Sequence, residues 1–375
     1  LTYTVTNTGD NGGVNPAVGA GTGTLRQAIV DANANASAAG DPNKIVFNIA
    51  GAGVKTINLS AVLPGITTPT IVDGTTQPGA SCGTLVPNDA NGAITNVGRS
   101  AHTLLIEVNA GSVPTSATTA TMNTASAATG STIKGLAIYG VAQTNYSQLT
   151  VNSPNTTVTC NYLGVKADGA TAPVKTPVTI GLTATATANY LSVTNNVISG
   201  TTQNYISTNG NTGSTIANNL IGTDATGLAS AQNAGNVSAA NGLLTSSITN
   251  YDIKNNVLAN ATNRLLSIST ATTSQVRGNY FGIGIDGKTT TGFTASGSGI
   301  AGNYGKGLTI GGPNTADRNY AGGMTGIGFG INNLSTTGQV TYQNNSIGLG
   351  ADGTTATPNT GAGISSSNTI GSIIK

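Results

Sequence analysis

The internal repeat of this sequence limits its possible folds more than any other feature. Four segments that begin with Asn and end with Gly align with one another, at residues 161–169, 219–227, 279–287 and 345–353. Their first residues are 58, 60 and 66 positions apart. A second series of Asn residues lies between them and precedes two of the segments by 23 residues. The spacing predicts a repeat of about 60 residues that divides into three units of about 20.

The stretches between these Asn residues have the composition of short strands. Runs of two to five residues rich in Ile, Val, Leu and Thr are separated by Gly, Asn, Asp and Ser. A helical period is missing from them, and helix formers such as Glu and Lys are scarce. Three short strands with three tight turns use about 20 residues, which is one rung of a parallel β-helix. The sequence therefore predicts an all-β solenoid.

The repeated Asn residues are interpreted as structural positions and not as ligand-binding ones. An Asn at the same turn of successive rungs can join a ladder of amide hydrogen bonds. Asn also tolerates the left-handed backbone conformation of a sharp corner. The six positions are Asn161, Asn196, Asn219, Asn256, Asn279 and Asn345.

One segment near the N-terminus has a helical pattern instead. Leu25, Ala28, Ile29 and Ala32 share one helical face, and Thr24 precedes them as the expected N-cap. The open end of a strand array recruits other chains unless it is covered. We therefore expect a short helix that caps the solenoid.

These patterns predict the organisation of the whole chain. Residues 1–44 are expected to form a capping strand and helix. Residues 45–375 are expected to form one parallel β-helix of about 16 rungs. The stretch 79–100 contains Pro and several Gly residues, so we expect a loop there that projects from one rung.

Composition excludes several classes of function. Only 7% of the 375 residues are charged and the net charge is +2, so no nucleic-acid partner is expected. No run approaches 18 apolar residues, so no membrane insertion is expected. His102 is the single His and Glu107 the single Glu, which leaves few side chains for a metal centre or a catalytic triad. The sequence predicts no catalytic residues, no cofactor and no metal.

The acidic residues are candidates for catalytic pairs. A glycosidase needs two carboxylates within about 5–10 Å, whereas the repeated Asp residues are expected about three rungs, or roughly 14 Å, apart. They are interpreted as turn residues. A pair from neighbouring rungs, such as Asp73 with Glu107, stays open. The repeated positions are Asp168, Asp224, Asp286 and Asp352.

Two cysteines leave two interpretations open. Cys82 and Cys160 lie 78 positions apart. They can form a disulfide if the protein is secreted, or they can be two separate small apolar side chains. His102 is interpreted as a loop or strand-edge residue.

Several phrases of the sequence resemble those of bacterial secreted and cell-surface repeat proteins that include adhesin-like members. The segment GTLRQAI at 23–29 resembles the N-terminal region of these proteins, and IGTDATG at 221–227 resembles their repeats. The resemblance implies a right-handed parallel β-helix and a secreted or cell-surface location. The same fold also hosts polysaccharide lyases and hydrolases, so the fold does not choose the function.

The sequence favours a non-catalytic extracellular structural or adhesive module, and predicts that the chain is not an enzyme. Its expected partners are surface glycans or other copies of the chain, and end-to-end stacking of rungs would produce filaments. The alternative is a carbohydrate-active enzyme, either a polysaccharide lyase or a hydrolase, or a glycan-binding module.

Overall fold

Short runs rich in Val, Ile and Thr form strands of two to eight residues, and each strand pairs in parallel with its equivalent in the next circuit of the chain. The computed structural model describes residues 1–114, 120–140, 144–173, 179–231, 238–294, 296–303, 305–332, 339–367 and 372–375. Within them the chain winds repeatedly through three long sheets, and one passage through the three is called a rung here. The predicted right-handed parallel β-helix is confirmed.

The three long sheets and a short fourth one contain all the named strands. Sheet 1 consists of Thr2–Val5, Asn43–Phe47, Thr70–Asp73, Thr132–Lys134, Thr157–Thr159, Ser192–Thr194, Thr215–Ala217, Asp252–Lys254, Gln275–Arg277, Leu308–Gly311, Val340–Gln343 and Ile373–Ile374. Sheet 2 consists of Lys55–Asn58, Ile106–Asn109, Leu136–Tyr139, Tyr162–Leu163, Val197–Ile198, Leu220–Ile221, Val257–Leu258, Tyr280–Phe281, Tyr320–Ala321 and Ser346–Ile347. Sheet 3 consists of Met122–Thr124, Tyr146–Val151, Thr179–Ala184, Asn204–Asn209, Ala239–Ser246, Ala261–Ile268, Ser298–Asn303, Phe329–Asn332 and Ile364–Ser367. The fourth sheet consists of Ile248–Thr249, Ala271–Thr272 and Gly305–Lys306.

The core is a stack of identical positions from successive rungs. The middle residues of neighbouring sheet 1 strands lie in register and are fully buried: Val158, Val193, Ile216, Ile253 and Val276. Burying one such side chain stabilises the fold by about 1.5–3 kcal/mol. Because side chains alternate along a strand, the residues on either side of each core residue face outward. The outer face of sheet 1 is therefore polar and partly exposed.

The rung length differs from the expected one. Each repeat of about 60 residues contains two rungs and not three, because alternate rungs carry a longer connection after sheet 2. In the described part of the chain sheet 1 has 12 strands, where about 16 rungs were expected. The strand Thr2–Val5, expected in the cap, pairs with Asn43–Phe47 and is the first strand of sheet 1.

The expected capping helix is present as Leu25–Ala34. Thr24 caps it, since its side-chain oxygen accepts a hydrogen bond from the Gln27 N–H at 3.1 Å. The helix also buries Arg26, whose guanidinium lies 2.8 Å from the Asp10 carboxylate and donates to the carbonyls of Ala61 and Val62 at 2.8 Å. This buried ion pair fixes the helix to the first rungs. The three short 3₁₀ helices are Asn11–Gly13, Gly74–Thr76 and Thr315–Asp317.

The loop expected at 79–100 does not project from one rung. It is part of a segment of residues 79–104, called the strap from here on. The strap lies along the outside of the corner between sheets 1 and 2 and contacts four successive rungs. No helix of the described residues is long and apolar enough to cross a membrane.

Candidate functional site

The six repeated Asn residues, together with Asn319, occupy one corner of the β-helix, between sheets 1 and 2. Each side-chain amide donates to the side-chain oxygen of the next Asn at 2.9–3.1 Å. The backbone N–H groups of five of them donate to the same oxygens. The first six side chains of this series are fully buried, and Asn345 is half-buried. This ladder holds the rungs in register.

At the corners that the strap covers, the residue before the ladder Asn has a left-handed backbone. Cys160, Asn195, Asn218 and Asn255 have φ between 53° and 59°, where Asn is tolerated better than most residues. Their side chains point outward and bind the strap. Asn195 donates to the Gly83 carbonyl at 2.8 Å and Asn255 to the Gly92 carbonyl at 3.1 Å.

The base of the strap is held by a disulfide and a histidine. Cys82 is bonded to Cys160, which decides between the two interpretations that the sequence left open. His102 is 6% exposed and stacks on Tyr162. Its Nδ1 accepts a hydrogen bond from the Gly83 N–H at 2.9 Å, so its Nε2 carries the proton and donates to the Asn195 carbonyl at 2.9 Å. Burial lowers the pKa of His102, and the bond to Asn195 opposes this only in part.

Four charged side chains meet on the outer face of sheet 1. Arg277 donates to both carboxylate oxygens of Asp252, at 3.0 and 2.9 Å, and to Asp317 at 3.0 Å. Lys254 lies 2.9 Å from Asp252. Asp317 also accepts two hydrogen bonds from Asn314, at 3.1 and 2.9 Å. One guanidinium thus bridges two carboxylates from different rungs.

The pKa values of this cluster follow from its contacts. Burial would raise the pKa of Asp252, but hydrogen bonds from Arg277 and Lys254 outweigh burial and the pKa is lowered. The same bond from Arg277 to Asp252 raises the pKa of Arg277. Asp252 is therefore ionised at neutral pH and is not a proton donor.

The charged cluster lies in a polar cleft between the sheet and the tip of the strap. Asn91 and Asn314 line two neighbouring hollows of 640 and 370 Å³, and Arg277, Asn314 and Asp317 continue the second into a third of 350 Å³. The remaining lining side chains are mostly amides and small residues. A polar, elongated cleft of this kind offers many hydrogen-bonding groups along the axis of the β-helix, which suits a ligand with repeated hydroxyl groups.

The four repeated Asp residues are placed in turns outside sheet 2. Asp168, Asp286 and Asp352 each accept hydrogen bonds from the backbone N–H groups two and three residues later. Asp224 accepts from the Thr226 N–H at 3.0 Å. Hydrogen bonds from Thr355 hold the pKa of Asp352 well below its usual range. Successive turns are hydrogen-bonded to each other, since the Ala225 N–H donates to the Gly169 carbonyl and the Ala351 N–H to the Gly287 carbonyl, both at 2.7 Å. The expected separation of three rungs is therefore wrong, and the hydrogen bonds within each turn account for these carboxylates.

The structure does not bring together Asp73 and Glu107, the pair that the sequence left open. Asp73 forms an ion pair with Lys134 at 2.8 Å on sheet 1. Glu107, on sheet 2, accepts hydrogen bonds from Tyr139 at 2.6 Å and Thr56 at 2.7 Å. No group of three His, Cys, Asp or Glu side chains in the described ranges could hold a metal ion.

The cluster of Asp252, Lys254, Arg277 and Asp317 is not among the candidate sites predicted from the sequence, although the sequence contains a signal for it. Lys254, Arg277 and Asp317 each stand two positions before a ladder Asn. Aligning the chain on the ladder therefore stacks the three charged residues on successive rungs.

Comparisons with known proteins give similarity of fold only. No family model and no curated protein matches the chain. Among solved structures it is similar to the A-module of the Azotobacter vinelandii mannuronan C-5 epimerase AlgE4, with 13% identity, a TM-score of 0.42 and coverage of 98% of each chain. The Dettilon tailspike protein gp208 matches at 12% identity and a TM-score of 0.38, over 88% of this chain and 66% of the tailspike. The Streptococcus pneumoniae surface protein and adhesin PfbA matches at 9% identity and a TM-score of 0.24, with full coverage of both chains.

One prediction from the sequence is corrected by these matches. The prediction that the chain is not an enzyme is wrong, because a structure named as an epimerase is among those similar to the chain. At 13% identity the likeness does not indicate a reaction.

Proposed function

We propose that the chain is a secreted or cell-surface β-helix that binds a polysaccharide in the cleft between the strap and sheet 1. The observation that supports this most is the lining of the cleft. Amide side chains from the strap, from the corners and from Asn314 surround Arg277, which bridges Asp252 and Asp317. Amide and carboxylate groups are the partners that sugar hydroxyls take in hydrogen bonds.

Polysaccharide cleavage or modification is the second candidate, and the bridged carboxylates favour it. Asp252 and Asp317 contact the same guanidinium, so two carboxylates from different rungs meet at one side chain. In such a reaction ionised Asp252 would act as the base or the anionic stabiliser. End-to-end association of the chain stays a separate prediction, and sedimentation velocity tests it.

The test is a panel of soluble polysaccharides measured by affinity electrophoresis and calorimetry, with new reducing ends and unsaturated products assayed in parallel. Asn91→Ala removes one exposed amide from the cleft, and we expect it to weaken binding about fivefold. Asn96→Ala is the matched control, since Asn96 is an exposed amide of the same strap that does not line the cleft. Equal affinities of the two variants would reject the cleft as the binding site. If the wild-type chain releases new reducing ends or unsaturated products and Asp252→Asn does not, the result supports polysaccharide cleavage or modification.

A further inference from the structure

The charges of the cleft indicate which class of polysaccharide it can take. Its lining includes two cations, Lys254 and Arg277, and two anions, Asp89 and Asp317. Asp252, directly behind Lys254 and Arg277, adds a third anion. Arg318 lies beside the cleft and donates to Asn344. Even when Arg318 is counted, cations and anions are equal in number, so the cleft has no net positive charge.

Each cation of the lining is already paired with a carboxylate of this chain. Lys254 is held by Asp252, and Arg277 is held by Asp252 on one side and Asp317 on the other. Arg277 uses three of its N–H groups in these contacts. A uronate chain would have to displace a carboxylate from a hydrogen-bonded ion pair to reach a cation, and its repeated charges would meet Asp89 and Asp317.

The rest of the path along sheet 1 is uncharged. Gln275 and Thr309 line the end of the cleft. On the other side of Asp252 the same outward row continues through Thr215, Ser192 and Thr157, in register. These groups repeat about every 4.8 Å, a distance comparable with the length of one sugar residue. The row offers hydroxyl and amide groups and no charge.

We infer that the polysaccharide is uncharged and runs along this row into the cleft, where the ion pairs among Asp252, Lys254, Arg277 and Asp317 exclude acidic chains. This inference rests on the proposed function and deepens it. The ion pairs bind hydroxyl groups through their remaining lone pairs and N–H groups, and Asp252 keeps Lys254 and Arg277 from attracting carboxylates.

The experiment compares neutral glucans and galactans with polygalacturonate and alginate, at 20 and 300 mM NaCl. We expect the wild-type chain to bind a neutral polymer, with less than about a twofold change in affinity between the two salt concentrations. Asp252→Asn removes the negative charge that Lys254 and Arg277 share. We expect this variant to bind the uronate polymers about fivefold more tightly than the wild type at low salt, and we expect the gain to disappear at high salt. Asp73→Asn is the matched control, because it frees Lys134 on the same sheet but outside the cleft. Circular dichroism of each variant verifies that it is folded.

Three outcomes overturn the inference in distinguishable ways. Wild-type binding of uronate polymers that is tighter than neutral binding and falls steeply with salt refutes the uncharged ligand and leaves the proposed function intact. Failure to bind either class of polymer refutes the proposed function itself. An equal gain of uronate binding in Asp73→Asn would show that the cleft has no part in the selection.

Discussion

Replacing Asn219 with alanine would remove four hydrogen bonds from a fully buried position. The side-chain amide of Asn219 donates to the Val193 carbonyl at 2.8 Å and to Asn256 at 2.9 Å. Its oxygen accepts from the backbone and side-chain nitrogens of Asn196, both at 3.0 Å. The backbone N–H of Asn196 would lose its partner, and a buried unpaired donor costs about 1–3 kcal/mol, with roughly 1 kcal/mol for each other bond. We expect Asn219→Ala to lower the free energy of local unfolding by about 4 kcal/mol.

The control is the same substitution at the half-buried position of the ladder. Asn345 accepts from Asn319 at 2.9 Å and donates to the Ile310 carbonyl at 2.8 Å. Because Asn345 is only half-buried, water can replace both bonds. We expect Asn345→Ala to cost about 1 kcal/mol.

Hydrogen exchange followed by mass spectrometry is the appropriate assay, because rungs of a solenoid contact mainly their neighbours and open locally. In Asn219→Ala, amides of the strands Ser192–Thr194 and Thr215–Ala217 should lose protection by a factor on the order of a thousand. Around Asn345 the loss in Asn345→Ala should be about fivefold. Equal losses of protection in the two variants, or a loss below fivefold around Asn219, would refute the conclusion that the ladder holds the rungs in register.

Three further predictions concern other parts of the structure. Arg26→Ala breaks a buried ion pair and should lower the free energy of unfolding by about 3–5 kcal/mol, whereas Lys134→Ala, at a partly exposed pair, should cost less than about 1 kcal/mol in the same denaturant titration. Replacing Cys82 and Cys160 together with alanine opens a covalent loop and should cost about 4 kcal/mol, with weaker polysaccharide binding, and unchanged affinity would show that the strap tip stays in place without the disulfide. Burial lowers the pKa of His102 below its usual 6.5, so its contribution to stability is complete above pH 6.5 and is lost as the pH falls through the lower folded value. The melting temperature of the wild type should therefore fall more than that of His102→Gln between pH 7.5 and 4.5. Parallel profiles of melting temperature against pH would contradict this.

The repeated features of the fold could be predicted from the sequence because each rung presents the same few requirements. The spacing of Asn196, Asn219 and Asn256 indicates one corner residue per rung, and the alternation around Val193 indicates an inward side chain. The number of rungs could not be obtained in this way, because alternate connections after sheet 2 differ in length and the average of 20 residues hides them.

The strap and the cleft could not be predicted because they depend on contacts between distant parts of the chain. Residues 79–104 have no repeat, and nothing in them indicates that the outward amides of Asn195, Asn218 and Asn255 are their partners. The cysteine spacing was compatible with a disulfide but did not show where the loop lies. The charged cluster could be found only after alignment on the ladder, which requires the correct rung length.

The strap also gives the rod a particular response to mechanical force. A solenoid pulled along its axis peels one rung at a time, because each rung is bonded only to its neighbours. The strap is covalently attached at Cys160 and hydrogen-bonded at Asn195, Asn218 and Asn255, so a force that reaches these four rungs loads them in parallel. They should extend together in one larger step.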